Sequence, residues 1–150
     1  MERKTRQGKA VRHALGEARR PVSPGELLHA TRRTVSTIGI ATIYRHLREM
    51  LRDGHAVAVK LPGGQVCYET ADKTHHHHFV CDSCERVFEV PGCPPGLRAL
   101  APEGFTVDRH EVILYGQCSR CAGECRCPRS SPRRLDPGGA RIRKARSIKD

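Results

Sequence analysis

Two pairs of cysteines, Cys81-x-x-Cys84 and Cys118-x-x-Cys121, each put two thiols on a tight turn. Four thiolates suit a closed tetrahedral zinc site. Redox-active or simply buried cysteine is the alternative reading, and two matched pairs weigh against it. Residues 85 to 117 must then fold as a loop-back that returns the second pair to the first, which a strand, short helix and strand would achieve. Cys125 and Cys127 follow as further thiols of unassigned role.

Immediately before the first pair stands an internal run of four histidines, His75 to His78. In an extended segment successive side chains point to opposite faces, so His76 and His78 share one face and His75 and His77 the other. The run can therefore serve two separate metal sites. Candidates to complete them are Glu69 and Glu89 on one side, and Cys93 and His110 on the other. A His/His/Cys/His set favours zinc, whereas histidine with carboxylate also suits ferrous iron or manganese.

The elements that must position these residues follow from patterning. Residues 6 to 19 predict a helix, with Val11, Ala14, Leu15 and Ala18 at helical spacing, ended by Arg20-Pro21. Ser23-Pro24-Gly25-Glu26 is a capping box that opens a second helix. A third helix runs from after Gly39 to about Asp53. Its apolar stripe is Ile40, Ile43, Leu47, Met50 and Leu51, and Thr42, Arg45, Arg48 and Arg52 lie opposite. This is a helix-turn-helix pattern. Residues 56–60 and 65–69 flank a Pro-Gly-Gly turn and predict a hairpin where a wing would stand. Strand character returns over Phe79 to Cys81, Arg86 to Val90 and Thr106 to Tyr115, with a short helix around Leu97 to Leu100.

Charge divides the chain in the same way. Residues 1–53 carry 12 Lys/Arg against 5 Asp/Glu, residues 54–121 carry 6 against 8, and the remainder 9 against 3, within a net charge of +11. The basic head implies a polyanion partner. Only 37% of residues are hydrophobic and there is no Trp, so metal or oligomer contacts are expected to supplement the core. No apolar run approaches the roughly 20 residues needed to span a bilayer, and the start lacks the apolar core of a signal peptide, so a cytoplasmic protein without a membrane role is expected. The expected division is 1–69 for DNA binding, 70–74 as a hinge, 75–127 for metal binding and dimerisation, and 128–150 as a disordered basic tail.

Taken in order, Thr5-Arg6-Gln7, Ile38 to Arg45, Tyr68-Glu69, His75 to Cys84, and His110 followed by Leu114-Tyr115-Gly116-x-Cys118 resemble the ferric uptake regulator (Fur) family over roughly residues 5 to 121. The resemblance implies an α+β chain: an N-terminal winged helix-turn-helix, then a small α/β dimerisation domain with a structural zinc site. It implies a repressor, not an enzyme, that binds double-stranded operator DNA as a homodimer when metal-loaded and controls metal homeostasis genes. By position, Cys81, Cys84, Cys118 and Cys121 match the structural zinc ligands, and Glu69, His76, His78 and Glu89 match the regulatory site for Zn2+ or Fe2+. His75, His77, Cys93 and His110 match an additional site, with a thiol where the family has Glu. Thr42, Tyr44 and Arg45 match the recognition helix, and Arg6 belongs to the first-helix motif counted with the DNA-binding residues.

The chain departs from the family at one place. Members commonly draw a regulatory histidine from just before the Val-Ser that opens the second helix, and Arg20-Pro21 stands there. Cys67, on the strand face of Glu69, is the expected replacement, with His55 behind it. Three other readings are set against this one, the first being a metal store or constitutive DNA binder that uses zinc only to fold. A peroxide-sensing member would use iron at the same histidines and carboxylates. A zinc-dependent hydrolase would leave the basic helix-turn-helix unexplained, and neither H-E-x-x-H nor H-x-E with P-C-x-x-C is present.

Overall fold

The computed structural model describes residues 2–123, with side chains from Arg6 onward. Cys125, Cys127 and the expected tail over 128–150 lie outside the described residues. Three helices come first: α1 (Glu2–Ala18), α2 (Pro24–Arg32) and α3 (Ile40–Arg52). α1 begins earlier than the apolar pattern predicts because Glu, Arg, Lys and Gln favour helix without needing an apolar stripe. It stops where Arg19 takes a left-handed φ of 47° ahead of Pro21. The capping box of α2 forms as predicted: the Glu26 N–H donates to Ser23 Oγ at 3.2 Å and the Ser23 N–H to Glu26 Oε2 at 2.9 Å.

Val11, Leu15, Val22, Leu27, Ile38, Ile43, Leu47 and Met50 close a single core between these helices, joined by Ala56. Ile40, expected in the stripe of α3, is instead 42% exposed, while Ile38 just ahead of the helix is buried. Strands β1 (Ala56–Lys60) and β2 (Val66–Thr70) pair antiparallel with Val57 opposite Glu69 and Val59 opposite Cys67. Their turn uses Gly63 and Gly64 at φ of 93° and 85°, which only glycine adopts without strain. Val22 extends the hairpin by one bridge, its N–H donating to the Tyr68 carbonyl at 2.9 Å and its carbonyl accepting the Tyr68 N–H at 2.8 Å. The result is a three-helix unit with a wing.

A second sheet has the order β4-β3-β5, with β3 (His76–Cys81) central. β4 (Val87–Pro91) runs antiparallel to it, placing Glu89 opposite His78, and β5 (Ile113–Gly116) runs parallel. The strand predicted over Thr106 to Tyr115 is shorter than expected because β3 offers β5 partners only from His78 to Cys81. A 3₁₀ turn over Leu97–Leu100 lies within the crossover, where a short helix is predicted. A four-residue helix, α4 (Ser119–Ala122), is not predicted; it is the turn of the second cysteine pair, with the Cys121 N–H donating to the Cys118 carbonyl at 2.9 Å.

The wing and the second sheet share a small apolar cluster of Val59, Leu61, Cys67 and Val87. Beside it, Glu26 Oε1 accepts from Arg20 Nη2 at 2.6 Å and lies 3.7 Å from Arg86 Nε at the edge of β4. Burial opposes ionisation of Glu26, yet the hydrogen bonds of Arg20 and Ser23 hold its carboxyl below the ordinary 4.5. The stability this contributes is complete above pH 4.5 and is lost as pH falls through the lower folded value. Glu26→Gln is expected to lower the unfolding free energy at pH 7 by on the order of 1 kcal/mol. Its gap to wild type should narrow towards about pH 3, as measured by urea titration at both pH values.

Candidate metal centres and nucleic-acid face

All three donor groups draw on β3 or its two ends. At its C-terminal end, Cys81 and Cys84 meet Cys118 and Cys121, with the four sulfurs within 4.8 Å of one another. The first turn is held by the Cys81 N–H donating to the Arg86 carbonyl at 2.9 Å, with Glu85 left-handed at φ 59°. The second is tied to the first by the Asp82 N–H on the Gly116 carbonyl at 2.7 Å and the Cys118 N–H on Cys81 Sγ at 3.3 Å. Gly116 packs closely there: an added Cβ would stand 3.3 Å from the Phe79 ring, which would have to give by a few tenths of an ångström.

Burial works against ionisation of Cys81, but backbone N–H groups of Cys118, Cys84 and Ser83 outweigh it and bring the thiol down to about 6. Cys118 is lowered too, with burial opposed by the Cys121 N–H, whereas burial pushes Cys84 up to about 11. Thiolate character is thus available in each pair, as cation binding requires.

The strand's two faces carry the other groups. On one, Glu69 from β2 meets His76 and His78, with ligand atoms within 4.8 Å. His76 Nε2 lies 3.1 Å and 3.2 Å from the two Glu69 oxygens, and His78 Nε2 lies 3.6 Å from Oε1. Both ring nitrogens of the buried His78 make no hydrogen bond among the described residues. Burial raises the cost of charge on Glu69, yet His78 and Lys73 hold its carboxyl below the ordinary range. Glu89, expected as a fourth member, stands beside this group, its Oε1 3.9 Å from His76 Nε2 and in contact with the Lys73 ammonium.

On the other face, His75, His77, Cys93 and His110 come together as a complete group of four. His110 Nε2 lies 3.1 Å from His75 Nε2 and 3.0 Å from Cys93 Sγ. His77 is 1% exposed; its Nδ1 accepts the Val112 N–H at 3.3 Å, and its Nε2 makes no hydrogen bond among the described residues. Burial, reinforced by His75 and His110, lowers its pKa and favours the neutral ring that a metal needs. Buried imidazole nitrogens without partners are costly, and a bound cation would satisfy one of those of His78; His77 Nε2 could ligate only with the ring proton moved to Nδ1, away from the Val112 N–H. The four sulfurs fit a metal ion by their donor chemistry, and the two histidine groups by their donor sets and unpartnered ring nitrogens.

Cys67 does not fill the place expected of it. It is buried with Val59, Leu61 and Val87, outside all three donor groups, and burial raises its thiol to about 11. His55 is exposed. Arg20 holds Glu26 and lies with its guanidinium 5.9 Å from the Phe88 ring centroid. Sequence reasoning did not single out Lys73, although a lysine four residues after one predicted ligand and three before another was the available signal.

On α3, Tyr44, Arg45, Arg48 and Arg52 are exposed and Thr42 is half-buried, while Arg6 is exposed on α1. His46, on the inward side, pairs through Nδ1 with Glu49 at 2.9 Å and packs where a Cβ on Gly8 would come within 3.2 Å of its ring. The exposed face combines guanidinium groups with one aromatic ring, a set suited to phosphate and base-edge contact. No helix among the described residues is long and apolar enough to cross a membrane.

The family model described as the ferric uptake regulator family matches residues 2–115, from α1 into β5. A ferric uptake regulation protein of Bordetella parapertussis is 33% identical over 87 residues, 56% of this chain and 63% of that protein. The chain thus spans under two thirds of that relative's length. Ferric uptake regulation protein 2 of Mycolicibacterium fortuitum is 29% identical over 125 residues, covering 80% of this chain and 86% of its own. Among solved structures, the ferric uptake regulator from Francisella tularensis with iron superposes with a TM-score of 0.62 at 26% identity, covering 78% of this chain and 92% of that one.

Replacing Cys84 with Ser is expected to reduce by one the ions retained per chain after gel filtration, counted by mass spectrometry of the metal. The unfolding midpoint should fall by at least about 10 °C, because a four-sulfur site contributes its binding energy directly to folding.

Proposed function

Because this chain belongs to the ferric uptake regulator family, we propose that it is a metal-responsive repressor that grips operator DNA as a homodimer when its regulatory site is filled. The observation that carries this reading is the separation of three donor groups by chemistry. Four sulfurs suit a permanent zinc ion that staples the fold. The oxygen and nitrogen donors of Glu69, His76 and His78, with Glu89 alongside, suit the exchangeable ion that is sensed, zinc or ferrous iron. His75, His77, Cys93 and His110 suit a further zinc ion. The relatives named are regulators, and no catalytic role is proposed.

The sensed ion would join Glu69 on the wing to His76 and His78 on the second sheet. A filled site therefore restrains the wing relative to that sheet. A preference of about 100-fold for the restrained arrangement shifts the equilibrium by about 2.7 kcal/mol, enough to gate DNA binding without refolding either part. Arg45 and Tyr44 would reach base edges, while Thr42, Arg48, Arg52 and Arg6 would approach the phosphates.

Support for the second copy comes from β5, an edge strand with Leu114 46% and Tyr115 52% exposed, and from Phe105, 71% exposed. An apolar edge of this kind is a ready site for pairing. Such a regulator acts in the cytoplasm, beside the DNA.

The test is DNA binding by purified protein in buffered free zinc, iron(II) and manganese(II), followed by fluorescence anisotropy with bound metal counted alongside. Sequence-selective binding is expected with the regulatory ion and not with chelated protein. Equal binding in both conditions would overturn the proposal. Under the activating metal, Arg45→Ala is expected to weaken specific binding roughly 10- to 100-fold while leaving metal stoichiometry unchanged.

A further inference from the structure

Lys73 lies in the connection between β2 and β3, and its side chain is 19% exposed. The ammonium is 3.2 Å from Glu69 Oε2 and in contact with Glu89 Oε1. Those carboxylates belong to different strands, β2 and β4, and no other Lys or Arg pairs with either among the described residues. A long, rotamer-rich lysine folds back into a half-buried pocket only where the electrostatic gain exceeds the lost entropy. Here it meets two carboxylates flanking two histidines, His76 and His78. The ammonium is the cation of this pocket.

We propose that Lys73 is a built-in competitor for the ion at the Glu69, His76 and His78 site, and so sets the metal concentration at which that site fills. The proposal rests on the metal-site reading given above. Lys73 is on Glu69 Oε2 while the histidines face Oε1, and an ammonium and a divalent ion held on one carboxylate repel each other, more strongly in a partly buried pocket than in water. For the ion to bind, Lys73 must release Glu69 and Glu89 and swing outward. The exit is short, since Ala71, Asp72 and Thr74 around it are exposed. Ions that gain too little from the two imidazoles and the carboxylate to displace the ammonium are thereby excluded. If Lys73 were merely a structural tie that holds Glu69 and Glu89 at a ligating spacing, its loss would loosen metal instead. The sign of the change separates the two roles.

Manganese(II) is a suitable probe, because it prefers oxygen and nitrogen donors and disfavours the two thiolate-containing groups. Full-length protein carrying one equivalent of zinc is titrated with manganese(II), and the free ion is followed by electron paramagnetic resonance. Lys73→Met and Lys73→Gln are both expected to bind manganese about tenfold more tightly than wild type, and Lys73→Arg within about twofold of it. Unchanged or weaker binding in both neutral variants would overturn the proposal. Glu69→Gln separates the two ways of failing. If it removes manganese binding while the Lys73 variants change nothing, only the competitor role falls. If it leaves manganese binding intact, the site itself has been misassigned and both readings fall.

Discussion

The two-residue period of one short strand is the constraint on which this chain depends. β3 sends His76 and His78 to one side and the His77 ring to the other, with His75 adjoining at its start, and it ends at Cys81. Three donor groups are thereby hung on one element without sharing a ligand. The strand is central in its sheet, hydrogen-bonded on both edges to β4 and β5, so it cannot slip in register without breaking both ladders. A one-residue slip would exchange the two faces and pair each histidine with the wrong partners. The four-sulfur group guards against that slip, because Cys81 is tied to the turn that follows β5.

Polar groups buried in this way are unfavourable by themselves. His77 and His78 are nearly inaccessible, and their free ring nitrogens have no hydrogen-bond partners among the described residues. A fold selected for stability alone would place apolar side chains at these positions. The apolar complement is thin here: the cluster between wing and sheet is only Val59, Leu61, Cys67 and Val87, with Val80 and Ile113 beside it. The second half of the chain thus has its polar ligands inside and few large apolar residues to compensate. Metal ligation at the proposed sites would offset this imbalance.

Much of this was legible in residue order because the relevant periods are local. The capping box of α2, the buried face of α3 and the alternation of the histidines each follow from spacing over a few residues. The C-x-x-C pairs announce their own meeting, since neither is complete alone. What was not legible depends on contacts between distant segments. The length of β5 is fixed by how much of β3 is left to pair with it. Cys67 and Glu69 share a strand face, yet Val87 arrives from β4 to cover the thiol while the carboxylate remains among histidines. Alternation identifies a face but not what the rest of the fold brings to it. The same holds for Glu89, whose register opposite His78 puts it close to the histidines while Lys73 engages its carboxylate.

Arg20, ahead of α2, contributes to how the two halves are joined. Arg20 reaches the Glu26 carboxylate, which also faces Arg86 from β4, and its guanidinium lies near Phe88. This contact joins helix and sheet without an ion. Its charges are about one-fifth exposed, so solvent screens the contact only in part. The proposed metal bridge between Glu69 and the histidines would act on the same joint from the wing side. Glu69 lies directly across from Val57 on β1, and β1 begins at Ala56, which packs in the core with Leu47 and Met50 of α3. Restraint applied at Glu69 would have one strand pair to cross before the core beneath the basic helix. That route is contiguous, and in the proposed reading it would let ligands on a sheet bias the placement of side chains that contact none of them.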